Sequence, residues 1–95
     1  MIISKTTSRP DPTQRARIEA FLSGFLPRLE ASQPGVVASY HFHDEDAGES
    51  TTLIVWRDDE SRLAYREGDL IREAMAMEKE LGLASTRVAL PLTYP

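Results

Sequence analysis

The chain has 95 residues, a formal net charge of −4 and no cysteine. A chain of this length builds one modest core, so residues 1–95 are expected to form a single domain. The lack of cysteine excludes disulfides, thiolate metal ligands and a cysteine nucleophile. The scattered basic residues argue against nucleic-acid binding, and the short apolar runs predict neither a signal peptide nor a membrane span, which favours a cytoplasmic protein.

The first third of the sequence predicts a strand followed by a long helix. Residues 2–8 are rich in β-branched side chains that partly alternate, as in a strand. Asp11, Pro12 and Gln14 match a helix N-terminus, with a capping aspartate, an early proline and a glutamine three residues after the cap. Apolar residues follow at helical spacing, and Pro27 within that pattern predicts a kink.

Two strands joined by a hairpin are predicted next. Residues 36–43 alternate between two faces. One face is predicted to carry Val36, Ala38, Tyr40 and Phe42. The other is predicted to carry Val37, Ser39, His41 and His43. The polar residues 44–50 predict a loop, after which residues 51–57 return as a strand antiparallel to the one before.

The remaining sequence predicts a broken helix and a last strand. Gly68 interrupts a helical pattern over residues 58–81, which predicts a short helix followed by a longer one. Gly82 suits the C-terminal cap of the longer helix. Residues 86–92 alternate as a strand, and Pro91 within it lacks an N–H and therefore suits an edge position.

The predicted order is β-α-β-β-α-β, a ferredoxin-like α+β fold with a four-stranded antiparallel sheet and the helices on one face. The other face of the sheet would be bare. Leu53 and Val55 alternate with Ile54 and Trp56, so neither face of the third strand can be wholly polar. A second copy normally covers such a face in a small protein, which predicts a homodimer formed through the sheet.

Three segments carry a similarity to known proteins: residues 25–29, FLPRL; residues 33–37, QPGVV, which lead to Tyr40; and residues 53–58, LIVWRD, which lead to Tyr65. With these segments the chain resembles the dimeric α+β barrel superfamily and, within it, the antibiotic-biosynthesis-monooxygenase-like domains. The similarity covers nearly the whole chain. It implies a dimer whose two sheets face each other as a barrel, with a ligand pocket in each protomer between sheet and helices.

The resemblance also suggests an activity. Characterised enzymes of the superfamily include cofactor-free oxygenases that act on aromatic polyketides or quinols, haem-degrading oxygenases and isomerases. The haem-degrading branch uses an asparagine, a tryptophan and a histidine, where this sequence has Thr7, Tyr65 and Met75. Because all three residues differ, the resemblance implies neither haem nor another cofactor.

Two histidines are candidates for chemistry. His41 and His43 lie two residues apart on a predicted strand and so point the same way, which suits a general base or half of a metal site. A metal site needs three converging ligands, so none is predicted, and two surface histidines are the simpler interpretation. The catalytic candidates are His41, His43 and Tyr65. The residues predicted to line a ligand pocket are Tyr40, Phe42, Trp56, Tyr65 and Met75.

Three classes of function fit these residues. An enzyme resembling the cofactor-free monooxygenases would act on an aromatic or quinol-type small molecule, with a histidine or tyrosine removing a phenolic proton so that the substrate itself reduces oxygen. A non-catalytic binder would hold an apolar small molecule with no such group aimed at it. A structural homodimer would fill the pocket with its own side chains. The third class therefore predicts no cavity between sheet and helices.

Overall fold

The computed structural model describes residues 1–94. Its elements are β1 (Ile2–Ser8), α1 (Pro12–Ser32), β2 (Val36–Asp44), β3 (Glu49–Trp56), α2 (Asp59–Arg66), α3 (Asp69–Leu81) and β4 (Thr86–Pro91). The strands form one antiparallel sheet in the order β2-β3-β1-β4, and the helices pack against one face of it. The predicted ferredoxin-like α+β fold is confirmed, and the second helical region is divided in two as the sequence indicates.

The first helix begins at the predicted cap. The Asp11 carboxylate accepts a hydrogen bond from the Gln14 backbone N–H at 2.7 Å, and the Gln14 side-chain oxygen accepts one from the Asp11 N–H at 2.9 Å. These two bonds satisfy N–H groups that the first helical turn leaves free. The helix then continues without a break through Pro27. It turns its apolar face to the sheet and buries Ile18, Leu22, Phe25 and Leu29.

The two later helices also have local signals at their ends. The Asp58 carboxylate caps α2 by accepting a hydrogen bond from the Ser61 N–H at 2.8 Å. Gly68 precedes α3, and Gly82 follows it with a φ of 68°. Only glycine adopts that left-handed conformation without strain, so Gly82 ends the helix as predicted. Among the helices of residues 1–94, none combines the length and apolar character that a membrane-spanning helix requires.

The start of β2 departs from the predicted alternation. Val36 is paired with Trp56, whereas Ala38 is paired with Val55, and the register shifts between them. A β-bulge at this point adds one residue to the strand and moves Val36 to the helix-facing side, where it packs against the core. The prediction that Val36 shares a face with Ala38 and Tyr40 was therefore wrong. Val37, the extra residue, is 56% exposed.

The end of β3 supplies one of the two largest fully buried side chains of the core. Trp56 at the end of β3 is 0% exposed. Its indole N–H donates a hydrogen bond to Ser4 Oγ at 3.0 Å. Its ring lies 5.2 Å from the Tyr65 ring, centroid to centroid, with the two planes tilted by 37°. Trp56 therefore connects β3, β1 and α2 through one side chain.

Candidate functional site

A cavity of about 60 Å³ lies between the helices and the sheet. Its apolar wall comes mainly from α1, through Ile18, Phe21, Leu22, Phe25 and Leu26. Its polar wall comes largely from the sheet and includes Thr6, Ser8, His41, Ser50 and Thr52. A structural homodimer that fills the pocket with its own side chains would have no cavity here. The observed cavity therefore favours the other two classes, an enzyme or a non-catalytic binder.

The strand register explains why polar groups meet under the helices. His41 on β2 is paired with Thr52 on β3, Thr52 with Thr6 on β1, and Thr6 with Arg87 on β4. Residues directly opposite one another on neighbouring strands point to the same side of a sheet. His41 and Arg87 are therefore the ends of one polar row that crosses the four strands beneath the helices. All four residues of this row line the cavity.

His41 has one engaged and one unengaged ring nitrogen. Its Nδ1 lies 2.9 Å from Thr52 Oγ1. Its Nε2 is buried and has no hydrogen-bond partner among residues 1–94. In the tautomer whose Nδ1–H donates to Thr52, Nε2 keeps a free lone pair. A buried nitrogen without a partner is unfavourable in a core, and a bound ligand that donates a proton or hydrogen bond would satisfy it.

The surroundings of His41 keep the imidazole neutral. Burial lowers the pKa of His41 from its ordinary value of 6.5, and the positive charges of His43 and Arg15 act in the same direction. Glu19 opposes this shift through its negative charge. At neutral pH the ring is therefore in its basic form and can accept a proton.

The lowered pKa of His41 predicts that the protein loses stability on acidification. As the pH falls through 6.5, the unfolded chain takes up a proton at this histidine before the folded protein does. The free energy of unfolding should therefore fall with decreasing pH, by at most about 1.4 kcal/mol per pH unit, until the lower folded-state pKa is passed. Urea unfolding at several pH values should show this slope, and His41→Gln should remove it. An unchanged slope in His41→Gln would contradict the assignment, with His43→Gln as the matched control.

Tyr65 supplies a second titratable group. It is 5% exposed and lies on the cavity wall. Burial raises the pKa of Tyr65 to about 12, opposed by the positive charges of Arg87 and Arg66 and assisted by the negative charge of Glu78. The phenol therefore keeps its proton at neutral pH. It can donate a hydrogen bond to an oxygen atom of a ligand, but it is a poor proton acceptor.

An ion pair that the sequence analysis missed completes the polar wall. Arg87 Nη2 lies 2.6 Å from Glu78 Oε1, and these side chains are 24% and 12% exposed. Both residues line the cavity. The signal was present in the sequence, because Glu78 stands four residues after Ala74 on the face of α3 that otherwise packs into the core. A charged residue at such a position indicates a buried partner.

The other predicted site residues lie elsewhere. Tyr40 and Phe42 are on the sheet face that the helices leave bare, where they are 55% and 51% exposed. Met75 is 51% exposed on α3 and borders a separate groove. His43 bonds through Nδ1 to Ser50 Oγ at 2.8 Å and borders a surface depression rather than the cavity. The structure thus brings His41 and Tyr65 to one cavity, with Trp56 packed against Tyr65 in the core.

Metal ligands do not converge on these histidines. Within the part of the chain that the structure describes, no group of three or more histidine, aspartate or glutamate side chains could hold a metal ion. The Nδ1 atoms of both histidines are already close to hydroxyl groups of β3, those of Thr52 and Ser50. The cavity wall therefore carries one neutral base, His41, together with the neutral phenol of Tyr65 and the ion pair of Arg87 and Glu78.

No protein-family model matches the chain, and no curated protein matches it either.

Comparison of structures gives several strong similarities. A candidate antibiotic biosynthesis monooxygenase from Deinococcus radiodurans superimposes with a TM-score of 0.87 and 14% identity, over 100% of this chain and 95% of that one. A second such candidate, from Caulobacter crescentus, gives a TM-score of 0.83 and 16% identity, over 98% and 90% of the two chains. A variant of SnoaB, a cofactor-independent oxygenase from Streptomyces nogalater, superimposes with a TM-score of 0.74 and 17% identity, over 99% of this chain and 94% of that one. The chain therefore has the fold of the antibiotic biosynthesis monooxygenase-like proteins.

Proposed function

We propose that this protein is a cofactor-independent monooxygenase that oxidises a small phenol or quinol in the cavity, with His41 as the general base. One observation carries the proposal: a neutral histidine with an unpartnered Nε2 lies on the wall of an otherwise largely apolar cavity. A base with a pKa below its ordinary value is unprotonated at neutral pH and ready to accept a phenolic proton. The fold shared with SnoaB, a cofactor-independent oxygenase, supports the same class of reaction.

The reaction needs only dioxygen as co-substrate. His41 Nε2 takes the phenolic proton, which leaves an electron-rich phenolate able to reduce oxygen directly. One oxygen atom bonds to a ring carbon that loses its hydrogen, and the other leaves as water. A phenol and O₂ thus give a quinone and water, with four electrons passing from the ring to oxygen. The protonated Tyr65 hydroxyl would stabilise negative charge on the substrate by donating a hydrogen bond.

The size of the cavity restricts the substrate. Its volume of about 60 Å³ is well below the roughly 300–1,000 Å³ of sites that hold drug-sized ligands. We therefore propose a substrate with one aromatic ring, which enters when side chains at the partly buried edge of the cavity move. Phe21, Leu26 and Met77 are such side chains, and the unbranched Met77 adapts most easily to a new shape.

Oxygen uptake tests this proposal. The unmodified protein should consume oxygen when it is given phenols and hydroquinones with one or two rings, also in the presence of a metal chelator. The rate of oxygen uptake should be higher with one-ring than with two-ring substrates. His41→Gln keeps a polar side chain but loses the base, so the rate should fall by about 10²–10⁴. His43→Gln, which changes a histidine outside the cavity, should retain activity.

Two results would overturn the oxygenase assignment. One is undiminished oxygen uptake by His41→Gln. The other is a protein that binds phenols without consuming oxygen, which would favour a non-catalytic binder of aromatic molecules instead.

We also propose that a second copy of the chain covers the bare face of the sheet. The register places Tyr40, Leu53, Lys5 and Val88 in one row across that face, and Val55, Ile3 and Leu90 in the next, so that Lys5 is the charged member of two otherwise apolar or aromatic rows. Tyr40 is 55% exposed, and Val88 and Leu90 are each 44% exposed. An apolar face of this extent favours association, and a two-fold axis would bury it with one contact. Each protomer would keep its own cavity on the opposite, helix-covered side.

A further inference from the structure

A second concave site lies directly beside the cavity. It is a groove of about 300 Å³ between α2, α3 and the strands β1 and β4, which we call the arginine groove after Arg62, Arg66 and Arg87 on its walls. Its volume is at the lower end of the range of small-molecule sites. The groove and the cavity share Thr6, Ser85 and Arg87 as lining residues, so the two spaces adjoin at these side chains.

The charges of the arginine groove are not balanced. Arg62 Nε lies 2.6 Å from Asp59 Oδ1, and Arg87 pairs with Glu78. Arg66 forms no ion pair within the described part of the chain. Lys5 also lines the groove and likewise forms no ion pair within the described part of the chain. Three guanidinium groups and one ammonium group against two carboxylates leave two positive charges around the groove, in a protein whose formal net charge is −4. A local positive charge within an acidic protein attracts a small anion to this position.

The two spaces together fit a molecule with two different ends. Tyr65 lies on the cavity wall, and the positive charges of Arg87 and Arg66 act to lower its pKa. Its hydroxyl is therefore close enough to the groove to interact with the charges there. Arg87 Nη2 lies 2.6 Å from Glu78 Oε1, and the guanidinium has further N–H groups that can donate to a ligand. An anionic group between Arg66 and Arg87 would therefore place an attached ring towards the cavity and His41.

We propose that the arginine groove binds the carboxylate of an aromatic acid, whose ring points into the cavity. The direction of the ring rests on the proposed function, whereas the binding of the anion does not. The excess positive charge of the groove favours an anion, and the planar fork of a guanidinium matches the two oxygens of a carboxylate. The substrate class suggested by both spaces is a one-ring hydroxybenzoate.

Benzoate and benzamide are the probes that test this proposal, because they have nearly the same shape and differ in charge. In titrations followed by NMR, benzoate should bind about tenfold more tightly than benzamide. Arg66→Gln should reduce this preference to about threefold or less, since it removes the guanidinium of the groove that forms no ion pair in the described part of the chain. Benzoate should also shift the resonances of the His41 ring. Raising the salt to about 1 M should weaken benzoate binding and leave benzamide binding nearly unchanged.

Arg72→Gln is the matched control, because Arg72 is 71% exposed, pairs with Asp69 and does not line the groove. Equal affinities for benzoate and benzamide, absent binding of benzoate, or an unchanged preference in Arg66→Gln would each overturn the proposal. Benzoate is not turned over in this titration, so the result is independent of oxygenase activity. If benzoate binding depends on Arg66 but no oxygen is consumed, the proposed function is rejected and the proposed carboxylate site in the arginine groove is supported.

Discussion

Replacing Tyr40 with glutamate is expected to convert a dimer into a monomer while the fold remains intact. Tyr40 is 55% exposed in the protomer and lies beside Leu53 on the bare sheet face. Because it is already half in water, a charge there costs the isolated protomer little. In a dimer formed through this face, the two-fold axis would bury two such carboxylates among mainly apolar side chains. That burial should cost about 4 kcal/mol, or on the order of a thousandfold in Kd.

Leu63→Glu provides the control for this substitution. Leu63 is 48% exposed on α2, on the helix side of the molecule, so the same change in charge lies outside the proposed interface. Sedimentation or light scattering at micromolar concentration should find a dimer for the unmodified protein and for Leu63→Glu, and a monomer for Tyr40→Glu. Circular dichroism should be unchanged in all three. A monomeric unmodified protein, or a dimeric Tyr40→Glu, would contradict the proposed interface.

Truncating Trp56 to alanine should cause the largest loss of stability of any single substitution in the core. The side chain is 0% exposed, donates a hydrogen bond to Ser4 Oγ at 3.0 Å and packs 5.2 Å from the Tyr65 ring. Its removal leaves a cavity and an unpaired hydroxyl between β3, β1 and α2. The expected cost is about 3–5 kcal/mol, out of a total stability of roughly 5–15 kcal/mol for a domain of this kind.

Unfolding in urea measures this loss. Trp56→Phe keeps most of the ring volume and loses only the hydrogen bond and part of the packing, so it should fall between the alanine variant and the unmodified protein. Val37→Ala removes methyl groups from a residue that is 56% exposed and should change stability by no more than about 0.5 kcal/mol. An unfolding midpoint of Trp56→Ala equal to that of the unmodified protein would show that this joint is not central to the core.

The unusual feature of this sheet is the distribution of polarity between its faces. The face covered by helices is rich in serine, threonine and histidine, whereas the bare face is rich in apolar and aromatic side chains. A sheet with one wet face normally shows the opposite arrangement. In the two proposals, the polar face under the helices forms one wall of the ligand cavity, and a second copy covers the apolar face.

Features that depend on neighbouring residues could be predicted from the sequence. The capping box of Asp11 and Gln14 requires residues only three positions apart, and the left-handed end of α3 requires only the glycine at position 82. Alternation of side chains likewise located the strands. Together these local signals were enough to predict the order of the elements and the ferredoxin-like fold.

Features that depend on pairing between distant segments were decided only by the tertiary structure. The bulge at Val37 shifts the register of β2 and places Val36 on the helix side, which alternation alone could not show. The polar wall of the candidate site includes a row of four residues from four different strands, His41, Thr52, Thr6 and Arg87. A shift of one residue in any pairing would turn one of these side chains to the other face, so the row exists only because packing of the whole sheet selects one register.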